Sequence, residues 1–380
     1  MTYDLLIKGG TVVDPSQGLD AILDVALSDG KIAAVQDSIP ENDAREVVDA
    51  GGMIVTPGLI DLHVHAYWGV CCYGIEPDVS NISKGVTTAM DCGSAGARTF
   101  PAFRRYVIER ADTRLYALLN ISAMGIISDK IGELQDPRWA DVDEAITAGR
   151  QNRDLVLGIK VRLDNTVTGE DKNAKVNALK RGLEAAEGTG GLLMMHVGDE
   201  KTPLEALTTY LRPGDVVTHA FRQYGGIVGA GRQISDEVKE ARARGVLFDV
   251  GHGAGSFNFD SADHALADGF FPDSISSDVS SISVEGPVFD LVTTMSKFIY
   301  LGLPLYEVVR LSTEAPAKIM GVDDRLGTLK VGAEGDVTLL RLDDGRFEFT
   351  DAQGVTVEAS QKLNHVRTVK GGKVHRPWLR

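Results

Sequence analysis

Polar and apolar residues alternate along residues 1–56, as in Leu5-Leu-Ile-Lys8 and Ile22-Leu-Asp-Val-Ala-Leu27, and Asp29-Gly30 between such runs is a hairpin signal. The same period of two returns from about residue 326, in Val337-Thr-Leu-Leu-Arg-Leu342, at the hairpin-type dipeptide Asp344-Gly345, in Arg346-Phe-Glu-Phe349 and in Val366-Arg-Thr-Val-Lys370. Between these ends the pattern changes. Short apolar runs alternate with helical stretches such as residues 174–186 and 236–243, the rhythm of parallel strands joined by crossover helices. The pattern predicts an α/β fold: a (β/α)8 TIM-like barrel over residues 57–325, and a small β-sandwich domain built from both chain termini, residues 1–56 plus 326–380.

Barrels of this kind carry their chemistry at the carboxyl ends of the strands, and that is where the unusual polar residues fall. In Pro57-Gly-Leu-Ile-Asp-Leu-His-Val-His65 the two histidines are one residue apart in an apolar run. On a strand their imidazoles emerge on one face about 7 Å apart, close enough to share a cation, whereas a helix would splay them. Two core histidines satisfied by hydrogen bonds are the plain alternative.

Lys160 lies inside Leu155-Val-Leu-Gly-Ile-Lys-Val-Arg-Leu163, where an unpaired ammonium is costly and its pKa falls. A neutral amine reacts with carbon dioxide, and the resulting carbamate has two oxygens with which to bridge two divalent cations. A lysine paired with a buried carboxylate is the competing reading. Leu192-Leu-Met-Met-His196, Val216-Val-Thr-His219 and Asp273-Ser-Ile-Ser-Ser-Asp278 each end an apolar run on one good ligand. Together these residues supply nitrogen and oxygen donors for two metals, with a position left for water.

The bulk properties narrow the partners. A net charge of −15 without basic runs argues against nucleic acid and anionic membranes. No stretch reaches membrane-spanning length, and the chain opens on strand-like Tyr3-Asp-Leu-Leu-Ile7 without a basic leader, so a cytoplasmic location is expected. Cys71, Cys72 and Cys92 are an odd number with two adjacent, which excludes a disulfide framework and suits reduced thiols.

In this order the residues resemble the amidohydrolase superfamily, in its binuclear, carboxylated-lysine branch, across nearly the whole chain. Gly85-Val-Thr-Thr88, Ser312-Thr-Glu-Ala-Pro-Ala-Lys318 and Gly327-Thr-Leu-Lys-Val-Gly-Ala-Glu-Gly-Asp336 add to the likeness. The resemblance implies that His63, His65 and Asp278 hold one divalent ion, that His196 and His219 hold the other, and that carboxylated Lys160 bridges them, with Zn2+ the first expectation. Asp278 is the expected catalytic residue, taking a proton from the attacking water and passing it to the leaving group.

The substrate reading turns on departures from relatives. Dihydroorotases extend the first motif to His-x-His-x-Arg, and the arginine grips the substrate carboxylate; here Tyr67 stands at that position, and Val279 rather than histidine follows Asp278. The combination with Gly158-Ile-Lys-Val-Arg162 and Asp249-Val-Gly-His-Gly253 is similar to a group often labelled dihydroorotase or adenine deaminase, whose members deacetylate α-acyloxy acids such as acetyl-(R)-mandelate. A small-molecule carboxylate is thus the expected substrate. Arg162, pointing the same way as Lys160, is the first candidate to bind it, with Tyr67, Arg98 and His252 as further substrate-binding candidates, although His252 could instead orient Asp278. A cyclic amide hydrolase of the dihydroorotase or hydantoinase type, or a non-catalytic scaffold of the same fold, are the alternatives. Assembly into a homo-oligomer is left open.

Overall fold

The computed structural model describes residues 2–197, 204–229 and 232–375. The amino-terminal part contributes β1 (Tyr3–Asp14), β2 (Leu19–Ser28), β3 (Lys31–Gln36), β4 (Ala44–Asp49) and β5 (Ile54–Pro57). The barrel strands follow as β6 (Leu59–Val64), β7 (Val86–Gly96), β8 (Arg114–Asn120), β9 (Val156–Arg162), β10 (Leu192–His196), β11 (Val216–Thr218) and β12 (Leu247–Phe248). The chain ends on β13 (Val337–Thr350), β14 (Thr356–Lys370) and β15 (Lys373–Val374).

Strands from both ends share one eight-stranded sheet, ordered β15-β14-β13-β5-β1-β2-β3 with β4 on β1. It curls because β1 changes partner at an irregularity between Ile7 and Gly10: its first half runs parallel to β4 and its second half to β5. Leu5, Val12, Val25, Val55, Leu339 and Val369 therefore meet in one core although they come from both termini. Asp29-Gly30 makes the β2–β3 turn, with both residues at positive φ as such hairpins require. Asp344-Gly345 makes no hairpin. β13 passes through it on a bulge between Asp344 and Phe347, and the turn comes at residues 351–355, where Asp351 takes the amides of Gln353 and Val355. The long outer half of this β13–β14 hairpin leaves the small sheet and lies on the helix Leu291–Tyr300, with Phe349, Ala359 and Leu363 joining the barrel's core.

The strands β6 to β12 form a parallel seven-stranded sheet in sequence order, the expected outcome when helices cover the outside. Residues 274–279 supply the closing stave through parallel bridges Asp249 to Ser274 on one side and Val64 to Val279 on the other. Helices Lys172–Thr189 and Asp236–Ala243 occupy the stretches that the sequence pattern marks. The lower interior is apolar, with Ile60, Leu62, Met90, Leu118, Met194 and Leu326 in contact, so the polar residues are confined to the top. No helix among the described residues is long and apolar enough to cross a membrane.

Candidate metal centre

A bulge decides where the first two histidines point. In β6 the register shifts between Asp61 and Val64 against β7, so Leu62 stays with Met194 in the lower interior while His63 turns its Nε2 to 3.2 Å from Lys160 Nζ. His65 follows on the same side, its ring 5.6 Å from that of His63. On the neighbouring pair, Met194 lies opposite Lys160 and His196 opposite Arg162, which stacks an apolar layer beneath a polar one. His219 and Asp278 both stand just beyond strand-like segments at positive φ, 66° and 48°. Such backbone is rare for residues with side chains and persists only where surrounding contacts enforce it.

These groups converge on a cavity of about 140 Å³ lined by His63, His65, Lys160, His196, His219 and Asp278. The Nε2 atoms of His63 and His65 lie 3.6 and 3.4 Å from Asp278 Oδ1, and the His196 and His219 rings are 4.4 Å apart. Two ligands held tetrahedrally at zinc-type bond lengths are about 3.4 Å apart, so the spacing is that of a chelate. Among the described residues, His63, His219 and Asp278 present donor atoms that all lie within 4.8 Å of one another. Asp278 Oδ1 is buried without a hydrogen-bond partner, an arrangement that a bound cation satisfies.

The surrounding groups fix which nitrogens face the cavity. His63 Nδ1 bonds Thr218 Oγ1 at 2.9 Å, and Thr218 in turn donates to Asp249 Oδ2. His65 Nδ1 meets Ser94 Oγ at 2.9 Å, and His219 Nδ1 donates to the Gly251 carbonyl at 2.6 Å. Each of these rings therefore offers Nε2, as metal-binding histidines do when a second partner sets the tautomer. His196 is reversed, with Nε2 3.4 Å from Asp164 Oδ2 and Nδ1 left over. Burial, and then the repulsion that a charge would meet from Lys160 and the adjoining rings, pushes the His63 and His219 imidazoles well below their usual range. Burial takes His196 down to about 3. All three are neutral near pH 7 and keep the lone pairs a metal needs. Burial also lowers Lys160, whose Nζ contacts His63 and Met194 Sδ and makes no ion pair among the described residues.

The other sequence candidates divide. Arg162 lines the cavity, 3.4 Å from both Glu133 oxygens, 3.7 Å from Asp164 and over the Tyr73 ring. Tyr67 is buried outside it, stacked on Phe103 with its hydroxyl on the Thr99 carbonyl. Arg98 is exposed and holds Glu144 through two bonds. His252 is buried and turned from the cavity toward Phe257 and Lys297. None of the cysteines lines the cavity. Sequence reasoning passed over Tyr73, Ser256, Ser280 and Ile282 in the cavity wall, and Glu133 and Asp164 beside it. Asp164 had a signal, since it continues the alternation of Lys160 and Arg162; the loop residues had none.

Residues 54–375 match the profile of the amidohydrolase family. The chain belongs to this family. Amidohydrolases similar to it include a deacetylase from Agrobacterium fabrum, 35% identical over 86% of this chain and 80% of that one, and a deacetylase from Enterococcus faecalis, 34% identical over 99% and 100%. Among solved structures, a crystal structure titled as an adenine deaminase shares 34% identity at a TM-score of 0.90, covering 98% of this chain and 99% of that one. One titled as a dihydroorotase shares 32% at 0.88, covering 97% of each. This amidohydrolase is thus a hydrolase by kinship, with a His/His/Asp constellation suited to a divalent metal.

Proposed function

We propose that this amidohydrolase is a deacetylase of small α-acyloxy carboxylates of the acetyl-(R)-mandelate type. It would use two divalent ions, zinc first, held by His63, His65 and Asp278 and by His196 and His219, with carboxylated Lys160 between them. The observation that carries the reading is the buried, unpartnered Asp278 oxygen facing the His63 and His65 Nε2 atoms in a cavity whose wall also holds Arg162. The buried Lys160, without an acidic partner among the described residues, supports the carbamate. The two deacetylase relatives support the acyl transfer to water.

Bound divalent ions supply a more acidic water and a polarised ester carbonyl. With Oδ1 turned to the cation side, Asp278 takes the proton from the attacking water at Oδ2 and returns it to the departing alcohol oxygen. Arg162, already gathering Glu133 and Asp164, presents a guanidinium with donors to spare for the substrate carboxylate. Tyr73 and Ile282 give the pocket an apolar side for the substituent on the α-carbon.

Cyclic amide hydrolysis is the second reading, favoured by the 32% identity to the structure titled as a dihydroorotase. Tyr67 counts against it, because the position of the gripping arginine is filled by a ring packed on Phe103. A panel of O-acyl, N-acyl and cyclic substrates decides between them, with acetyl esters of α-hydroxy acids expected to be cleaved far better than dihydroorotate. Arg162→Met should lower kcat/KM for free acids roughly ten- to a hundredfold, as expected for a charge-assisted bond worth about 1.5 to 3 kcal/mol, and leave methyl-ester analogues little changed. Because that change also strands buried Glu133, the double variant Arg162→Met/Glu133→Gln serves as the folded control. Equal losses for acid and ester would assign Arg162 to the scaffold, and efficient dihydroorotate hydrolysis would overturn the substrate.

A further inference from the structure

Lys297 has no exposed surface, yet it makes no ion pair among the described residues. Its Nζ meets His252 Nε2 at 2.7 Å, the Pro287 carbonyl at 2.9 Å and the Thr350 carbonyl at 2.7 Å. Three acceptors match the three protons of an ammonium. The Gly253 carbonyl, 2.9 Å from His252 Nδ1, can only accept, so the ring carries its proton on Nδ1 and turns the lone pair of Nε2 to the lysine. The ring is further clamped by stacking on Phe257 at 4.6 Å.

The turn that His252 centres is built against two of the proposed metal ligands. On one side the Gly251 carbonyl holds His219 Nδ1, and a Cβ on Gly251 would come within 2.8 Å of that nitrogen. On the other, a Cβ on Gly253 would lie 2.3 Å from Asp278 Oδ2. Both glycines adopt positive φ, 47° and 52°, so the turn has little intrinsic preference for this shape. Thr350 closes the arrangement from outside, because it ends β13 in the hairpin that reaches over from the terminal sheet. Its neighbour Asp351 holds Asn258 and the Phe259 amide at the far end of the same loop.

We infer that Lys297 is a positioning residue: through His252 it fixes the 251–253 turn that orients His219 and confines Asp278, and it ties the carboxyl-terminal hairpin to the metal centre. The inference rests on the metal-centre reading above. It assigns a task to a buried lysine that touches neither the cavity nor any of the proposed ligands.

The test compares wild type, Lys297→Met and the double variant Lys297→Met/His252→Leu. The single change leaves an imidazole nitrogen without its donor and should cost stability; removing the ring as well should recover part of the loss. Zinc affinity, measured by chelator competition, should fall about tenfold in both variants, the lower end of what outer-shell partners contribute. It should stay low in the double variant although the thermal midpoint recovers. Turnover of an acetoxy acid should lose kcat with KM within about twofold, because Arg162 and Tyr73 are untouched. Zinc affinity within twofold of wild type in both variants, or a recovery that follows the midpoint, would overturn the inference. Where the single variant does not fold, the double variant alone decides on zinc affinity. A wild type that binds zinc but cleaves no acetoxy acid would sink the substrate reading and leave the inference standing. A wild type that binds no zinc would sink both.

Discussion

Replacing Gly253 by alanine should disable the enzyme without unfolding it. The added Cβ would lie 2.3 Å from Asp278 Oδ2, where ordinary contact begins near 3.4 Å, so the carboxylate must retreat by about 1 Å. A displacement of that size at a reacting group costs about a hundredfold in rate, or about 2.7 kcal/mol of barrier. The positive φ at residue 253 adds a strain of about 1 to 2 kcal/mol to the folded state. Gly269→Ala is the matched control, with φ of 74° and no atom within 4 Å of its new methyl group. Both variants should lose thermal stability through strain, and only Gly253→Ala should lose kcat. The assay is initial rates on the best acyl substrate at saturation, beside a thermal melt. Were Gly253→Ala to keep kcat within threefold of wild type, or Gly269→Ala to lose as much, the role given to Asp278 and its neighbouring turn would be refuted.

Purified protein should carry about two divalent ions per chain by mass-spectrometric metal analysis, and no more than trace metal in active protein would refute the two-ion site. Lys160→Ala should lose metal and activity, with partial rescue by short carboxylic acids that replace the carbamate; rescue by primary amines instead would speak for an unmodified lysine. Burial pushes the His365 imidazole down to about 4, while the unfolded chain takes up a proton near 6.5. The unfolded state thus binds more protons across that interval, and stability is lost as pH falls from about 6.5 to 4. His365→Gln should flatten this acid limb in urea-midpoint measurements, and an unchanged slope would show that other groups set it.

The barrel and the terminal sheet were readable because hydrophobic period alone distinguishes β5 and β13 from the β/α units between them. Six polar residues at the ends of apolar runs, from His63 to Asp278, meet in one cavity for the same reason: strand ends in a barrel are close in space however distant in sequence. What sequence could not supply depends on irregularity. The β6 bulge that puts Leu62 and His63 to use in successive layers leaves no mark in the residue pattern. Asp344-Gly345 has hairpin chemistry, but the ladder with β14 continues on both sides of it and turns the pair into a bulge. Tyr73 and Glu133 come from loops whose course is set by packing, and Tyr67 shares the motif of His65 yet lies against Phe103 because the strand has already ended.

The closing stave at residues 274–279 bears on the order in which the molecule assembles. Its carbonyls at Ser274, Ser276 and Ser277 take the amides of Val250, His252 and Gly253, its Asp278 amide reaches the His63 carbonyl, and buried carboxylates reinforce both sides. Asp249 accepts from Ser274 and Ser276, and Asp61 accepts the Ser277 amide and hydroxyl across a separation of 216 residues. Joining points so far apart incurs loop-closure entropy before any contact offsets it, so this joint belongs late in folding. His63 and His65 stand on one side of the joint and Asp278 on the other. A cation gripped by all three would act as a rivet through the last gap in the ring, slowing its reopening at the edge where the Asp278 amide meets the His63 carbonyl and the His65 amide meets the Val279 carbonyl.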